Sequence, residues 1–232
     1  MRFSALGLVA ALLSQVQASP VARASKTPYF FLIGDSTVAV NGGWGNGLLA
    51  YLKDPAKGEN RAVSGTTTVS WKANGRWDDL IKSVESNAAN YEPIVTVQFG
   101  HNDQKSLTLA QFTSNLESIA TDIQGAGGTP VKQDLKDWRD ATITAAQAVG
   151  IQYLDLNTAS TNYVNAIGEE NAIKYNLTPD DRTHLNPAGE AVFGRMTLDL
   201  LLQARGDLNA YFEPNEALSE RIANGEYATG DE

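Results

Sequence analysis

The stretch Tyr29-Phe30-Phe31-Leu32-Ile33-Gly34-Asp35-Ser36-Thr37 decides the fold: five aromatic and branched residues end at a glycine, and a serine follows two positions later. A run this short and this apolar reads as a buried strand, and the glycine turns the chain out of it. Pro93 to Phe99 (PIVTVQF), stopping at Gly100, is a second such run, and Ile151 to Leu156 is a third. Between them Leu109, Phe112, Leu116, Ile119 and Ile123 recur every three or four residues. That spacing draws one apolar stripe on a helix, expected to stop near Gly125 to Gly128. Asn186-Pro187 reads as an N-cap with proline at the first helical position, and Val192, Met196 and Leu200 supply the apolar face that follows.

Strands alternating with helices imply an α/β fold, a parallel sheet with right-handed crossovers and helices on both faces. Functional groups in such sheets gather at the carboxyl ends of the strands. Gly34-Asp35-Ser36 and Gly100-His101-Asn102-Asp103 both fall there. One stretch does not fit. After Gly128 another buried strand is due, yet Thr129-Pro130-Val131 runs at once into Lys132-Gln133-Asp134 and a helix expected near Leu135. A central strand is therefore expected to be missing or shortened after Gly128.

The 232 residues suit one domain, expected over 19–214, and the polar, acidic segment 215–232 reads as a loose tail. Arg2, the apolar run Phe3 to Leu13 and Val16-Gln17-Ala18 form a signal-peptide pattern over residues 1–18, so a secreted, extracellular protein is expected. The apolar run is too short to cross a bilayer core of roughly 30 Å. The absence of cysteine excludes disulfides, thiol chemistry and cysteine metal sites. With a formal charge of −9, nucleic acid is a poor partner. The protein is expected to be a monomer without membrane association. Asn176-Leu177-Thr178 matches the N-glycosylation acceptor pattern.

A serine just past a strand and a glycine turn has its hydroxyl exposed and backbone N–H groups around it, as nucleophilic catalysis requires. The base must be His101 or His184, the two histidines of the chain. His184 follows Asp181 by three residues, close enough for the carboxylate to fix the imidazole tautomer and stabilise imidazolium. Asp103, two residues from His101, points elsewhere in an extended segment, so Asp35, His101 and Asp103 are assigned supporting places. Donors for a tetrahedral oxyanion are the N–H of Ser36, the N–H of Gly65 and the side-chain amide of Asn102. Taken singly, each residue also has a bland reading: N-capping serine, loop histidine, turn glycine, turn asparagine. Asp35, His101, Asp103 and His184 could in principle surround a metal, but two histidines without helical ligand spacing make a poor zinc site.

Taken together, Gly34-Asp35-Ser36-Thr37, the Gly65 segment, Gly100-His101-Asn102-Asp103 and Asp181-Arg182-Thr183-His184 resemble, in order and spacing, the SGNH or GDSL-like hydrolases. The resemblance implies a Ser36, Asp181 and His184 triad and an oxyanion hole from Ser36, Gly65 and Asn102. Gly43-Trp44-Gly45, the G-H-N-D form of the third segment and Asp181-Arg182-Thr183-His184-Leu185-Asn186 resemble the rhamnogalacturonan acetylesterases. Over roughly Tyr29 to Leu201, that similarity implies a flavodoxin-like three-layer α/β/α sandwich, no metal or organic cofactor, and an acetylated polysaccharide as substrate. Trp44, Trp71 and Trp77 are then candidate sugar-stacking surfaces, with core packing as the commoner use of such residues. Two other readings stay open: a non-catalytic relative impaired by the shortened segment, and an esterase acting on acetylxylan or a lipid.

Overall fold

The computed structural model describes residues 26–133 and 136–232, so the expected signal peptide and the first residues of the expected domain lie outside it. In chain order the elements are β1 (Thr27–Gly34), α1 (Gly45–Leu49), β2 (Lys57–Asn60), α2 (Arg76–Asn87), β3 (Tyr91–Gln98), α3 (Leu109–Gly125) and β4 (Thr129–Gln133). They continue with α4 (Lys136–Ala148), β5 (Gln152–Leu154), α5 (Leu156–Ile167), α6 (Glu169–Ala172), α7 (Pro187–Ala204) and α8 (Glu216–Asn224). All the strand pairs are parallel, and their order across the sheet is β2-β1-β3-β4-β5. This is the flavodoxin-like order, in which winding reverses between β1 and β3 and leaves a crevice at their carboxyl ends.

The pleat of β1 divides its side chains between two cores. Phe30 and Leu32 pack with Leu48 of α1, Tyr163 of α5 and Val192, Met196 and Leu201 of α7. Phe31 and Ile33 point the other way, against Leu80 and Val84 of α2, Phe112, Leu116 and Ile119 of α3, and Trp138 of α4. Two apolar layers on one sheet make the three-layer sandwich. The α3 stripe is buried at Phe112, Leu116, Ile119 and Ile123, while Leu109 at the helix start is 49% exposed. A capping box between Thr108 and Gln111 starts this helix, and α7 opens as expected, with Asn186 Oδ1 accepting from Gly189 N–H at 3.0 Å.

The strand in doubt is present, and short. β4 fills the place between β3 and β5, with Val131 beside Thr96 and Gln152. Five residues suffice because its neighbour β5 has only three. A strand absent from the sequence reading is β2, whose Lys57-Gly58-Glu59-Asn60 carries no apolar run because it pairs only with β1 at the sheet edge.

The expected loose tail is instead a packed element. Leu218 of α8 and Ala228 are fully buried in the same core as α7. Arg195 of α7 donates from Nε to the Ser219 hydroxyl at 2.7 Å and pairs with Asp199 at 2.7 Å. The Tyr175 hydroxyl donates to the Ala228 carbonyl at 2.7 Å. Polar composition concealed these anchors, because a few scattered apolar residues, Leu218, Ile222, Tyr227 and Ala228, do the docking with the Ser219 hydroxyl and backbone groups. Leu218→Ala is therefore expected to cost about 3 kcal/mol of stability, read as a lower urea midpoint; a loose tail would leave the midpoint unmoved.

Candidate active site

The first segment of the site is the turn after β1. The Asp35 carbonyl accepts from the N–H groups of Val38 and Ala39 at 3.2 and 3.1 Å, so the chain coils directly behind Ser36. Asp35 Oδ1 accepts from both the N–H and the hydroxyl of Thr37, at 2.9 and 2.8 Å. Gln98, at the end of β3, donates to the Thr37 hydroxyl at 2.9 Å and accepts from Trp44 Nε1 at 2.8 Å. This chain of bonds ties the serine turn to the neighbouring strand.

The second segment follows β2. Arg61 N–H donates to the Leu32 carbonyl at 2.8 Å and Val63 N–H to the Gly34 carbonyl at 3.0 Å, carrying the chain along the end of β1 to Gly65. Gly65 has φ +78°, a left-handed conformation that explains the glycine, since a Cβ there would meet nothing within 4 Å. The third segment follows β3. Asn102 Nδ2 donates to the Thr66 carbonyl at 3.0 Å, and Thr68 donates through its N–H and hydroxyl to Asp103 Oδ1 at 2.9 and 2.6 Å. The segments carrying Gly65 and Asn102 are thus cross-linked.

The fourth segment precedes α7. Asp181 Oδ1 accepts from the N–H groups of Thr183 and His184 at 2.8 and 2.9 Å, and its Oδ2 lies 2.8 Å from His184 Nδ1. The two backbone donations first, and then the imidazole, hold the Asp181 carboxyl down at about 2. It stays anionic wherever the imidazole can work as a base. This loop docks on the serine loop at Gly42, whose carbonyl accepts from Leu185 N–H at 2.9 Å and whose N–H donates to Glu190 Oε1 at 2.7 Å. Gly42 has φ +143°, and a Cβ on it would sit 3.2 Å from the His184 Cβ. Bare backbone is what lets the imidazole lie against the loop that carries Ser36.

The sequence-derived candidates therefore converge on one rim of the sheet. Ser36 is 6% exposed and the His184 side chain 34% exposed. Among the described residues the Ser36 hydroxyl and His184 Nε2 have no hydrogen-bond partner, one another included, and the N–H groups of Ser36 and Gly65 are likewise unengaged. Asp35 and Asp103 lie fully buried, each with its Oδ2 unpartnered. Burial lifts the Asp35 carboxyl above the ordinary carboxylate range, against the donations of Thr37 and the charge of nearby His101.

Other expectations need correction or refinement. Trp44 and Trp71 are core residues, each 2% exposed, so neither offers a sugar platform. Trp77 is half-buried edge-on to Trp71, with Lys72 Nζ 4.0 Å from its ring centre. Asn176 Nδ2, the atom a glycan would join, is enclosed without a partner in the folded loop. Among the described residues no three His, Asp or Glu side chains are grouped to hold a metal ion. A cavity of about 510 Å³ lies between α5, α7 and α8, and none of Ser36, Asp181 and His184 lines it. Sequence reasoning missed Gly42, Glu190, Thr66, Thr68 and Lys105, which act on the candidates through contacts distant in the chain or unmarked by any motif.

A parallel sheet in flavodoxin order presents, at its switch point, a serine turn, an aspartate-paired histidine and unengaged N–H donors, the parts of a serine acyl-transfer site. The chain belongs to the GDSL-like lipase/acylhydrolase family, whose sequence pattern matches residues 32–192. It is similar to a protein of Bacillus subtilis named as a probable rhamnogalacturonan acetylesterase, YesY, being 25% identical over 192 residues that cover 69% of this chain and 86% of that one. Among solved structures, protein YxiM of Bacillus subtilis superposes with a TM-score of 0.64 at 18% identity, covering 78% of this chain, which spans 58% of the length of that one. An acetyl-xylooligosaccharide esterase from Geobacillus superposes with a TM-score of 0.56 at 13% identity, over 77% of this chain and 94% of that one.

Two outcomes follow from the geometry. The Asp181 carboxyl is depressed from an ordinary value of 3.8 to about 2. The stability its charge confers is present in full above the ordinary value and is lost as pH falls through the depressed one. Denaturant midpoints measured across that window should decline for the native protein and decline less for Asp181→Asn. Glu190→Ala should lower kcat about tenfold by freeing Gly42 and letting His184 drift, with Glu190→Gln, which keeps the acceptor oxygen, near wild type in steady-state assays.

Proposed function

We propose that this chain is a secreted serine esterase that removes acetyl groups from an acetylated plant cell-wall polysaccharide of the rhamnogalacturonan type, with Ser36 as nucleophile, His184 as base and Asp181 as its orienting partner. The single observation that carries the reading is the Asp181–His184 pair at 2.8 Å, docked through Gly42 on the loop of Ser36. The name of the Bacillus subtilis relative supports the substrate, and the apolar leader pattern of residues 2–18 supports secretion.

In the mechanism, His184 Nε2 takes the Ser36 hydroxyl proton as Oγ bonds to the acetyl carbonyl carbon. Asp181, anionic throughout, stabilises the imidazolium that results. The carbonyl oxygen becomes an oxyanion and rests on the Ser36 N–H, the Gly65 N–H and the Asn102 amide, each worth about 3 kcal/mol when well placed. Collapse expels the sugar alkoxide, which receives the proton from His184. Water then attacks the acetyl-enzyme, giving a proton to His184, and acetate leaves as Ser36 regains it. Asp35 and Asp103 serve from below, the first shaping the serine turn through Thr37 and the second holding the Gly65 segment through Thr68.

Acetate release from acetylated rhamnogalacturonan, acetylxylan and short-chain lipid esters tests the reading. Rhamnogalacturonan should be the best substrate, and Ser36→Ala and His184→Ala should each reduce turnover by about 10⁴-fold or more. A folded Ser36→Ala variant as active as the native protein would overturn the mechanism; preference for long acyl chains would overturn the substrate.

A further inference from the structure

We infer that Lys105 is a positioning residue for the oxyanion site: its ammonium fixes the orientation of the Asn102 amide and strengthens that amide as a donor. The inference rests on the role proposed above for Asn102. Lys105 Nζ donates to Asn102 Oδ1 at 2.9 Å, while Asn102 Nδ2 donates to the Thr66 carbonyl at 3.0 Å. An ammonium can only donate and a backbone carbonyl can only accept. Flipping the amide would set donor against donor at one end and acceptor against acceptor at the other, so a single orientation survives. In that orientation one N–H of Nδ2 is committed to Thr66 and the second is left for the reacting carbonyl.

The local backbone explains how a lysine reaches this place. Asp103–Lys105 is one turn of 3₁₀ helix, and Lys105 N–H bonds the Asn102 carbonyl at 3.1 Å. Side chains three apart eclipse in such a turn, which sets Nζ over the asparagine. The lysine also keeps its charge unneutralised. No carboxylate lies within ion-pair range of Lys105 among the described residues, so its charge is directed to Asn102 Oδ1. A cation on Oδ1 draws electron density from the amide and makes its N–H the stronger donor, as linked hydrogen bonds polarise one another. Lys105 is exposed, so solvent screening limits the effect and substitution leaves the fold intact.

The test is steady-state kinetics on a small chromogenic acetyl ester with Lys105→Met, Lys105→Arg, Asn102→Ala and the Lys105→Met/Asn102→Ala pair, each with its melting temperature. Lys105→Met should lower kcat about tenfold with KM and melting temperature unchanged. Lys105→Arg, which still donates to Oδ1, should recover most of the loss, and in the Asn102→Ala background the lysine should no longer matter. Asn102→Ala slowed about a hundredfold beside a Lys105→Met variant within about twofold of wild type would overturn the inference and leave the site reading standing. So would an equal loss from Lys105→Met in both backgrounds. Full activity in Asn102→Ala would instead overturn the role of Asn102, and the inference with it.

Discussion

The site depends on how closely two neighbouring strand ends approach. Gly34 and Gln98 are in register at the carboxyl ends of β1 and β3, and a Cβ on Gly34 would lie 2.4 Å from the Gln98 carbonyl oxygen and 2.7 Å from the Val38 side chain. Only glycine lets the chain fold back over the strand end at this point. Once it does, the Gln98 side chain can reach Thr37 and Trp44, the Gly34 carbonyl can receive the incoming Gly65 segment, and Ser36 is presented at the switch point of the sheet. Further assembly builds outward from that contact, first by the ties between the Gly65 and Asn102 segments and then by the docking of the histidine loop at Gly42.

The electrostatics of the rim divide its carboxylates into kinds. Asp181 is held anionic by backbone N–H groups and suits an imidazole that must gain and lose a proton. Asp35 sits in the interior, where the charged form is disfavoured and each hydrogen bond it receives shapes backbone. The two aspartates thus differ because one is wrapped in donors near solvent and the other is packed beneath the serine.

Legibility in the sequence followed the physics of each element. β1 and β3 announced themselves because central strands covered by helices on both faces demand long apolar runs; β5, at the far edge with Gln152 and Tyr153 exposed, was read only from the short run Ile151 to Leu156. β2 did not, since an edge strand can be polar, and β4 was obscured by its brevity and by Lys132, a buried residue of a type expected at the surface. The triad and donor residues were readable because their chemistry restricts the residue types. Gly42, Glu190 and Lys105 were not, because an acceptor oxygen or a missing Cβ has value only in relation to a distant neighbour. The C-terminal segment misled because composition speaks to what a residue can do, and burial decides what it does; by the same rule Trp44 and Trp71 took the commoner use, core packing.

The C-terminal segment and the imidazole loop share one anchor. The Tyr175 hydroxyl holds the Ala228 carbonyl, and the Tyr175 carbonyl receives the N–H of Asn186, two residues past His184. One tyrosine is therefore a rivet through both the C-terminal segment and the hinge of the imidazole loop. Anything that prises up this segment, a clipping protease or a bulky fusion partner, pulls through Tyr175 on the base of the reaction.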